Sequence, residues 1–293
     1  MELLHSCPIC GSESFDPYIS AKDYFLTGQS FEIVKCRNCG FRFTNPRPEP
    51  TELGKYYQSA DYISHSDSRQ GLFASLYQEV RKFTLWRKYN LISKFHRKGE
   101  ILDIGCATGQ FMKYMDGRGW NTTGIEPDEK SRSRAISEFG LNVFAEDQLN
   151  VFRKASFDLI TMWHVLEHVS DLNGRIKQIR NLLKPEGTFI LAVPNCDALD
   201  AKIYGKYWAG YDLPRHLYHF TKADMKLLME KFGFTIVNIL PMRFDAFYVS
   251  LLSEKYMNGK MRWMPAFWNG FWSNIKSGQK NGHSSLIYVV KIK

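Results

Sequence analysis

From residue 100 onward, short apolar strands alternate with helical segments, and this alternation constrains the fold more than any other feature of the chain. Strands are predicted at residues 100–104, 121–126, 142–145, 157–162, 188–193, 234–240 and 285–292, with a helix at 171–183. Strands that alternate with helices form a parallel sheet covered on both faces. The sequence therefore predicts an α/β fold.

The first strand leads into a turn, Asp103-Ile104-Gly105-Cys106-Ala107-Thr108-Gly109, of the form D-x-G-x-x-x-G. Dinucleotide sites use G-x-G-x-x-G, where the extra glycines let the backbone approach a pyrophosphate. S-adenosylmethionine carries no phosphate, so this turn suits its amino-acid tail. We expect the N–H groups at the start of the next helix to face the carboxylate of that tail. Asp103 is expected to face its ammonium and sulfonium charges, and Glu126, which closes the second strand, to bind the ribose hydroxyls.

At these positions the chain resembles class I S-adenosylmethionine-dependent methyltransferases, through residues 102–109, 124–127, 157–160, 165–169 and 183–188. The resemblance implies a Rossmann-like seven-stranded sheet whose last strand is antiparallel, with S-adenosyl-L-methionine bound at the carboxyl ends of the strands. By this resemblance, cofactor binding is expected at Asp103, Gly105, Cys106, Gly109, Glu126, Pro127, Asp147 near the adenine, and Trp163 beside the reacting methyl group. The thiol of Cys106 itself is expected to be a small packing group.

Two C-x-x-C-G motifs lie in the first forty residues, Cys7-Pro8-Ile9-Cys10-Gly11 and Cys36-Arg37-Asn38-Cys39-Gly40. Two intervening residues let both thiolates of a pair face one ion, and four thiolates make the closed tetrahedral site of structural zinc. Disulfides are disfavoured in a cytosolic chain, and a redox motif would not occur twice. We therefore predict a zinc-ribbon module over residues 1–45, bound through Cys7, Cys10, Cys36 and Cys39, with zinc supplying most of its folding free energy.

Three prolines between residues 46 and 50 predict an extended linker, and apolar residues at helical spacing predict an amphipathic helix over about 70–96. The linker and helix occupy residues 46–98, and the methyltransferase domain occupies 99–293. A cysteine module ahead of such a domain, with residues 212–217 after the fifth strand, is similar to sugar C-methyltransferases and to enzymes of surface-glycan and secondary-metabolite pathways. The resemblance implies a small-molecule or sugar/glycan acceptor.

A hydroxyl or sugar-carbon acceptor needs a base, and histidine is the side chain whose pKa best matches neutral pH. The candidates are His164, His168, His216 and His219. His216 comes first because it lies in the polar loop 211–219 after the fifth strand. His164, which follows the fourth strand directly, comes second. The catalytic residues are thus predicted to be His216 and His164.

The alternative function is a zinc-ribbon RNA methyltransferase or another nucleic-acid-modifying protein, which the net charge of +9 favours. Against it, the fourth strand ends in Thr161-Met162-Trp163-His164 and not in an Asn/Asp-Pro-Pro-aromatic segment. The basic pairs at 81–82, 87–88 and 97–98 are spread out and predict a solvated helix face. Nucleic acid is therefore the disfavoured partner. The first residues lack the pattern of a signal peptide, and no run reaches the ~18–20 apolar residues of a membrane span, so we expect a cytoplasmic protein.

Residues 241–285 separate the last two strands, where this fold usually has a short hairpin, and they are rich in aromatic residues and cations. A packed helix pair, a cap over the substrate, a dimer contact and peripheral contact with an anionic membrane all fit this composition. A monomer and a homodimer both stay open.

Overall fold

The computed structural model describes residues 1–57, 72–276 and 282–293. Its strands are β1 Phe15–Lys22, β2 Ser30–Cys36, β3 Arg42–Thr44, β4 Glu100–Ile104, β5 Asn121–Ile125, β6 Asn142–Phe144, β7 Phe157–Trp163, β8 Leu183–Pro194, β9 Tyr218–His219, β10 Phe234–Pro241 and β11 Ser285–Ile292. Its α-helices are α1 Leu72–Ile92, α2 Gln110–Asp116, α3 Glu129–Phe139, α4 Leu172–Leu182, α5 Leu199–Tyr204, α6 Lys222–Lys231, α7 Asp245–Asn258 and α8 Trp263–Lys276.

The larger sheet has seven strands in the order β10-β11-β8-β7-β4-β5-β6. Strands β4 to β8 are parallel, and β11 runs antiparallel to both of its neighbours. This confirms the predicted α/β sheet with its antiparallel last strand. The predicted strands match closely except for β8, which begins at Leu183 and not at residue 188, because Leu183 already pairs with Phe157 before the ladder shifts register.

The helix α1, Leu72–Ile92, lies within residues 70–96, where the sequence predicts a helix ahead of the sheet. Leu91 and Ile92 at its end are buried in one cluster with Ile101 of β4 and Trp120. Because helix residues four apart lie on the same face, Lys88 shares the buried face of Ile92.

The cysteine-rich N-terminus forms a second sheet of four strands in the order β1-β2-β3-β9. The fourth of these, β9, comes from the loop that follows β8 of the larger sheet. Arg42 pairs with His219, and Phe43 pairs with Tyr218. The N-terminal module therefore takes its edge strand from the domain that carries the predicted catalytic loop.

The segment predicted as a proline-rich linker is packed against both modules. Arg47 is 4% exposed, and its guanidinium donates to Glu2, to the Tyr218 hydroxyl at 2.9 Å and to the carbonyl of Ser170 at 3.0 Å. The chain bends at residues 45–46 and turns from residue 50, and the buried arginine ties this segment to the domain. The domain boundaries themselves stay a prediction.

Within residues 241–285 the chain forms the helix pair α7 and α8, which pack on each other and on α5. The Asn269 side chain donates to the hydroxyl of Tyr204 at 2.9 Å, and Ser253 accepts from the backbone N–H of Ala209 at 2.8 Å. None of the described helices is long and apolar enough to cross a bilayer.

Candidate active site

The turn between β4 and α2 is held by the end of β5. The backbone N–H groups of Gly105 and Cys106 both donate to the carbonyl of Ile125, at 2.7 and 3.1 Å. Gly105 has a φ of +74°, and a Cβ there would lie 2.4 Å from the side chain of Val165. Only glycine meets both constraints. Because these two N–H groups bond to Ile125, they are not the donors expected for a bound carboxylate.

Glu126 is anchored at the end of β5 by two backbone donors. Its Oε2 accepts from the N–H of Ala107 at 2.8 Å, and its Oε1 accepts from the N–H of Asp128 at 2.9 Å. Burial raises the pKa of this carboxyl, whereas the two N–H donors lower it. Each carboxylate oxygen has a second lone pair, so Glu126 can still accept ribose hydroxyls. The neighbouring Pro127 is exposed at the same edge.

Asp103 does not lie where the sequence analysis expected it. The side chain is 3% exposed, and its Oδ1 accepts a hydrogen bond of 2.6 Å from the Thr161 hydroxyl of β7. Burial raises its pKa to about 7, although the Thr161 hydroxyl and the charge of Lys88 oppose this. Asp103 therefore joins β4 to β7 inside the sheet, and a direct contact with the cofactor's ammonium or sulfonium is not the role this position favours.

Other residues of the predicted cofactor site divide between packing and exposed positions. Cys106 is buried in a small apolar cluster, and a Cβ on Gly124 would lie 2.7 Å from its Sγ. Gly109 has a φ of +78°, and a Cβ there would lie 2.6 Å from Leu141. Asp147 is exposed, in the short 3-10 turn after β6. It lies at the same edge as Glu126, whose N–H donates to the last carbonyl of β6.

Trp163, at the end of β7, carries a buried indole N–H. This Nε1 has no hydrogen-bond partner among the described residues. The Lys88 ammonium lies 4.0 Å from the centre of its ring, and Phe111 meets the ring edge-on at 5.7 Å. An orphaned buried donor beside the β4 turn is a group that a bound carboxylate or hydroxyl would satisfy.

Lys88 was missed by the sequence analysis, which predicted a solvated face for the basic pair at 87–88. Arg87 and Lys82 are exposed, but Lys88 turns inward. Burial lowers the pKa of its ammonium to about 8, whereas the charges of Asp103 and Asp245 raise it. Its spacing of four from Ile92 is the signal that could have found it.

His164 follows Trp163 and is held between two carboxylates. Its Nε2 bonds to Asp245 of α7 at 2.9 Å, and its Nδ1 bonds to Glu167 at 3.3 Å. Burial lowers its pKa, but the hydrogen bonds to these carboxylates outweigh burial and raise the pKa of His164 to about 10. Both ring nitrogens then donate at neutral pH, so His164 is a cation without a free lone pair. This arrangement disagrees with its predicted role as a base.

His216 lies in the loop after β8, and its ring is oriented by the backbone. Its Nδ1 bonds to the carbonyl of Gly210 at 2.9 Å, and because a carbonyl only accepts, Nδ1 carries the proton. The lone pair is then on Nε2, whose nearest ion-pair partner is Asp212 at 3.9 Å. The adjacent Arg215 is buried between Asp212 and Asp23, at 2.7 and 3.1 Å. These contacts hold the loop that presents His216.

Two further side chains converge beside His216. One nitrogen of His168, one of His216 and one carboxylate oxygen of Glu167 all lie within 4.8 Å of one another. The Nδ1 of His168 bonds to the carbonyl of Arg215 at 3.0 Å, and burial lowers the pKa of this imidazole to about 4. Glu167 is fully buried, and its Oε2 has no hydrogen-bond partner in the part of the chain that the structure describes. The cluster thus offers lone pairs to a hydroxyl proton or to a divalent cation.

His219, the remaining histidine candidate, is a structural residue. It is 3% exposed, and its Nε2 contacts the Thr44 hydroxyl at 3.1 Å. Burial lowers its pKa well below the usual range. A neutral, buried ring bonded to β3 cannot reach an acceptor.

The four predicted cysteine ligands come together in the N-terminal module. Their sulfurs lie within 4.8 Å of one another, with Cys7 Sγ 3.6 Å from Cys39 Sγ and Cys10 Sγ 3.5 Å from Cys36 Sγ. Tetrahedral zinc with Zn–S bonds of ~2.3 Å requires sulfurs ~3.8 Å apart. All four cysteines are free thiols in this structure. The donor set fits zinc.

A cavity of about 290 Å³ opens between α1 and the chain leading into α7. Lys88 and Leu91 line one side, and Leu240, Asp245 and Ile287 line the other. Lys88 contacts the ring of Trp163, and Asp245 contacts His164. Two residues that line the cavity therefore contact residues at the end of β7.

Comparison with known proteins agrees with this geometry. A family model described as a methyltransferase domain matches residues 77–239, more than half of the chain. The chain belongs to the S-adenosylmethionine-dependent methyltransferase family. The magnesium protoporphyrin IX methyltransferase of Synechocystis, solved with S-adenosylhomocysteine, shares the fold with a TM-score of 0.56 at 14% identity, covering 84% of this chain and all of that one. An S-adenosylmethionine-dependent methyltransferase from Archaeoglobus fulgidus has a TM-score of 0.51 at 19% identity, with 72% of this chain and 94% of that one covered.

Among relatives by sequence, the methyltransferase is 32% identical over 197 residues to the ubiquinone biosynthesis O-methyltransferase of Maricaulis maris, covering 60% of this chain and 75% of that protein. It spans only 42% to 58% of the length of other proteins of that name. The cofactor of this family supplies an electrophilic methyl group. Glu126 and the orphaned indole N–H of Trp163 are groups of this methyltransferase that fit it.

Proposed function

We propose that the protein transfers a methyl group from S-adenosylmethionine to a hydroxyl oxygen of a small-molecule acceptor, with His216 as the base. Methyl transfer is an in-line displacement from a good leaving group, so the protein must mainly align the acceptor and remove its proton. The observation that carries the proposal is the lone pair on His216 Nε2, beside the unpartnered Oε2 of Glu167. The relatives named as O-methyltransferases support oxygen over carbon or nitrogen.

Each residue near the acceptor has a separate task in this proposal. Glu126 holds the cofactor ribose, while Trp163 and Lys88 border its amino-acid end. His164, held between Glu167 and Asp245, keeps a positive charge beside the reaction centre, which stabilises a developing oxyanion. His216 takes the hydroxyl proton and becomes the second positive charge, after that of His164. Because His168 is neutral, it does not repel the charge on His216.

Sugars and surface glycans are one source of such a hydroxyl, and phenols are another. A panel of nucleotide sugars and catechols, tested for transfer of a labelled methyl group, separates them. His216→Ala should lower kcat by the ~10²–10⁴-fold typical of a lost base, with little change in cofactor affinity. His5→Ala, a change at an exposed position of the N-terminal module, is the matched control. Undiminished turnover in His216→Ala would show that His216 is not the base.

A second mechanism at the same site is favoured by the three converging lone pairs. A divalent cation held by Glu167, His168 and His216 would bind the acceptor oxygen and lower the pKa of its hydroxyl. Chelation distinguishes the two mechanisms. Activity that survives removal of all metal outside the cysteine module supports the base, and activity restored by Mg²⁺ or Mn²⁺ supports the cation.

A further inference from the structure

The last helix of the pair, α8, turns its small residues inward. Ala266, Gly270 and Ser273 are buried, and the Ser273 hydroxyl donates to Asp200 at 2.8 Å. A Cβ on Gly270 would lie 2.9 Å from the Phe247 ring and 3.1 Å from the carbonyl of Ala246. The helix thus packs closely on α7 through residues that bury little apolar surface.

The large apolar residues of α8 face solvent instead. They are Trp263, Met264, Phe267, Trp268, Trp272 and Ile275, each between 45% and 72% exposed. A helix on the surface of a globular protein normally buries such residues and exposes polar ones. A contiguous apolar face of this kind marks an interaction surface.

The exposed charges of the segment that carries this face have one sign. In residues 241–276 the exposed charged side chains that the structure describes are Arg243, Lys255, Lys260 and Arg262. The two acids of the segment are engaged by the protein itself. Asp245 bonds to His164 at 2.9 Å, and Glu254, 4% exposed, bonds to the Tyr204 hydroxyl and to Asn258.

A second apolar cluster lies at the mouth of the cavity described above. Phe83 and Phe244 are 44% and 45% exposed, and their rings meet edge-on at 5.8 Å. Trp86, 49% exposed, lies 5.6 Å from Phe83. Trp86 and Phe244, with Arg243, also line the cavity. Arg243 joins the two clusters, because its carbonyl accepts from Asn274 of α8 at 2.9 Å.

We propose that the exposed face of α8, together with Phe83, Trp86 and Phe244, is a docking surface for an anionic lipid bilayer. Tryptophan, with its apolar ring and polar N–H, is enriched at the boundary between headgroups and acyl chains. Each lysine or arginine near an anionic surface adds about 1 kcal/mol of attraction, roughly fivefold in affinity. A second copy of the chain would instead bring two sets of cations together. Charge complementarity therefore selects the membrane as the partner.

Sedimentation with vesicles tests this surface without any methyl acceptor. The protein should sediment with vesicles containing phosphatidylglycerol at low salt, and not with vesicles of phosphatidylcholine alone. Met264→Ser/Trp268→Ser and Lys260→Glu/Arg262→Glu should each lower the partition coefficient at least about tenfold. The controls change exposed residues elsewhere, Val151→Ser and Arg153→Glu/Lys154→Glu, and should stay within about twofold of the parent protein.

Three results would overturn the membrane surface. One is absence of sedimentation at low salt, and another is an equal loss in the control variants. The third is a dimer, seen by light scattering, that Met264→Ser/Trp268→Ser dissociates, because the face would then belong to a second copy. Both test variants change solvent-exposed residues, and thermal unfolding checks that they remain folded.

A consequence for the acceptor follows, and it rests on the proposed function. Because the cavity opens at the docking surface and reaches Lys88 and Asp245, the acceptor should be amphipathic, with its hydroxylated end inside. Methyl transfer to dodecylcatechol in phosphatidylglycerol vesicles should show a KM at least about tenfold higher in Met264→Ser/Trp268→Ser, while transfer to soluble catechol should not change. If the protein binds vesicles but does not methylate dodecylcatechol in preference to soluble catechol, the proposed acceptor class is wrong, whereas the proposed membrane surface is not affected.

Discussion

The hydroxyl of Thr44 donates a hydrogen bond of 2.9 Å to the backbone carbonyl of His216, with both groups buried. Thr44 ends β3 of the cysteine module, and His216 is the proposed base of the methyltransferase domain. The same hydroxyl contacts Nε2 of His219, the last residue of β9. The preceding residue of β3, Phe43, pairs with Tyr218 of β9. The cysteine module therefore contacts directly the loop that presents the proposed base.

Thr44→Val should separate positioning from chemistry. Valine keeps the shape but removes the hydroxyl, which leaves the His216 carbonyl and the His219 nitrogen unpaired, at a cost of about 1–3 kcal/mol for a buried unsatisfied group. We expect a lower urea midpoint and a lower kcat, with cofactor affinity unchanged by calorimetry. Thr235→Val, at an exposed position of β10, is the control. A parental kcat in Thr44→Val would show that this bond does not position the loop.

Removal of one cysteine ligand should affect the same loop. In Cys36→Ser the N-terminal module should lose its zinc, and β1 to β3 should lose order, because a small module depends on its metal for folding. Metal content by mass spectrometry should fall from one zinc per chain to none, and turnover should fall with it. Glu13→Gln, at an exposed position of the module, should retain both. Full zinc retention in Cys36→Ser would refute the four-cysteine site.

The cofactor site depends on Glu126 as its charged acceptor. Glu126→Ala removes hydrogen bonds to two ribose hydroxyls, a loss of roughly 1.5–3 kcal/mol. Calorimetry should find S-adenosylmethionine bound about 10- to 100-fold more weakly. The comparison variant is Glu129→Ala, which changes an exposed acid in the first turn of α3. Equal affinities in the two variants would place the ribose elsewhere.

The pKa of His164 predicts how stability changes with pH. Its value of about 10 in the folded protein lies above the 6.5 of an unperturbed histidine. A raised pKa means that the folded state binds this proton more tightly, so its contribution is fully present below pH ~6.5 and is lost as the pH rises through ~10. The free energy of unfolding should therefore fall between pH 7 and 10 more steeply in the parent than in His164→Gln. Parallel curves would mean that His164 is neutral in the folded protein.

The sequence predicts most of the larger sheet and the ends of its strands. Apolar runs separated by helices predicted β4 to β7 and β11 within about one residue, and the D-x-G-x-x-x-G motif predicted the turn between β4 and α2. It also predicted the four cysteines as one cluster. The strands and the turn depend on residues close together in the chain. The cysteine cluster depends on a ligand chemistry, four thiols in two paired motifs, that suits few partners other than zinc.

The roles of charged residues could not be predicted in the same way. Lys88 was predicted to lie on a solvated face, but its ammonium turns inward onto the ring of Trp163. Asp103 was predicted to face the cofactor, but its carboxylate bonds to Thr161. His164 was expected to be a base and is held between two carboxylates, of which Asp245 lies 81 residues away. Burial and pKa depend on such distant neighbours, which a local pattern does not contain.

The sequence by itself thus determined where the strands of the larger sheet lie along the chain and which four cysteines come together, because periodicity and motif spacing act over a few residues. Only the tertiary structure decided that β9 completes the cysteine module, which histidine keeps a lone pair, and that α8 exposes its aromatic face. Each of these depends on which surfaces meet when distant segments pack. Gly270 illustrates the point, because a Cβ there would lie 2.9 Å from the Phe247 ring, which leaves no room for a larger side chain on the inward face of α8.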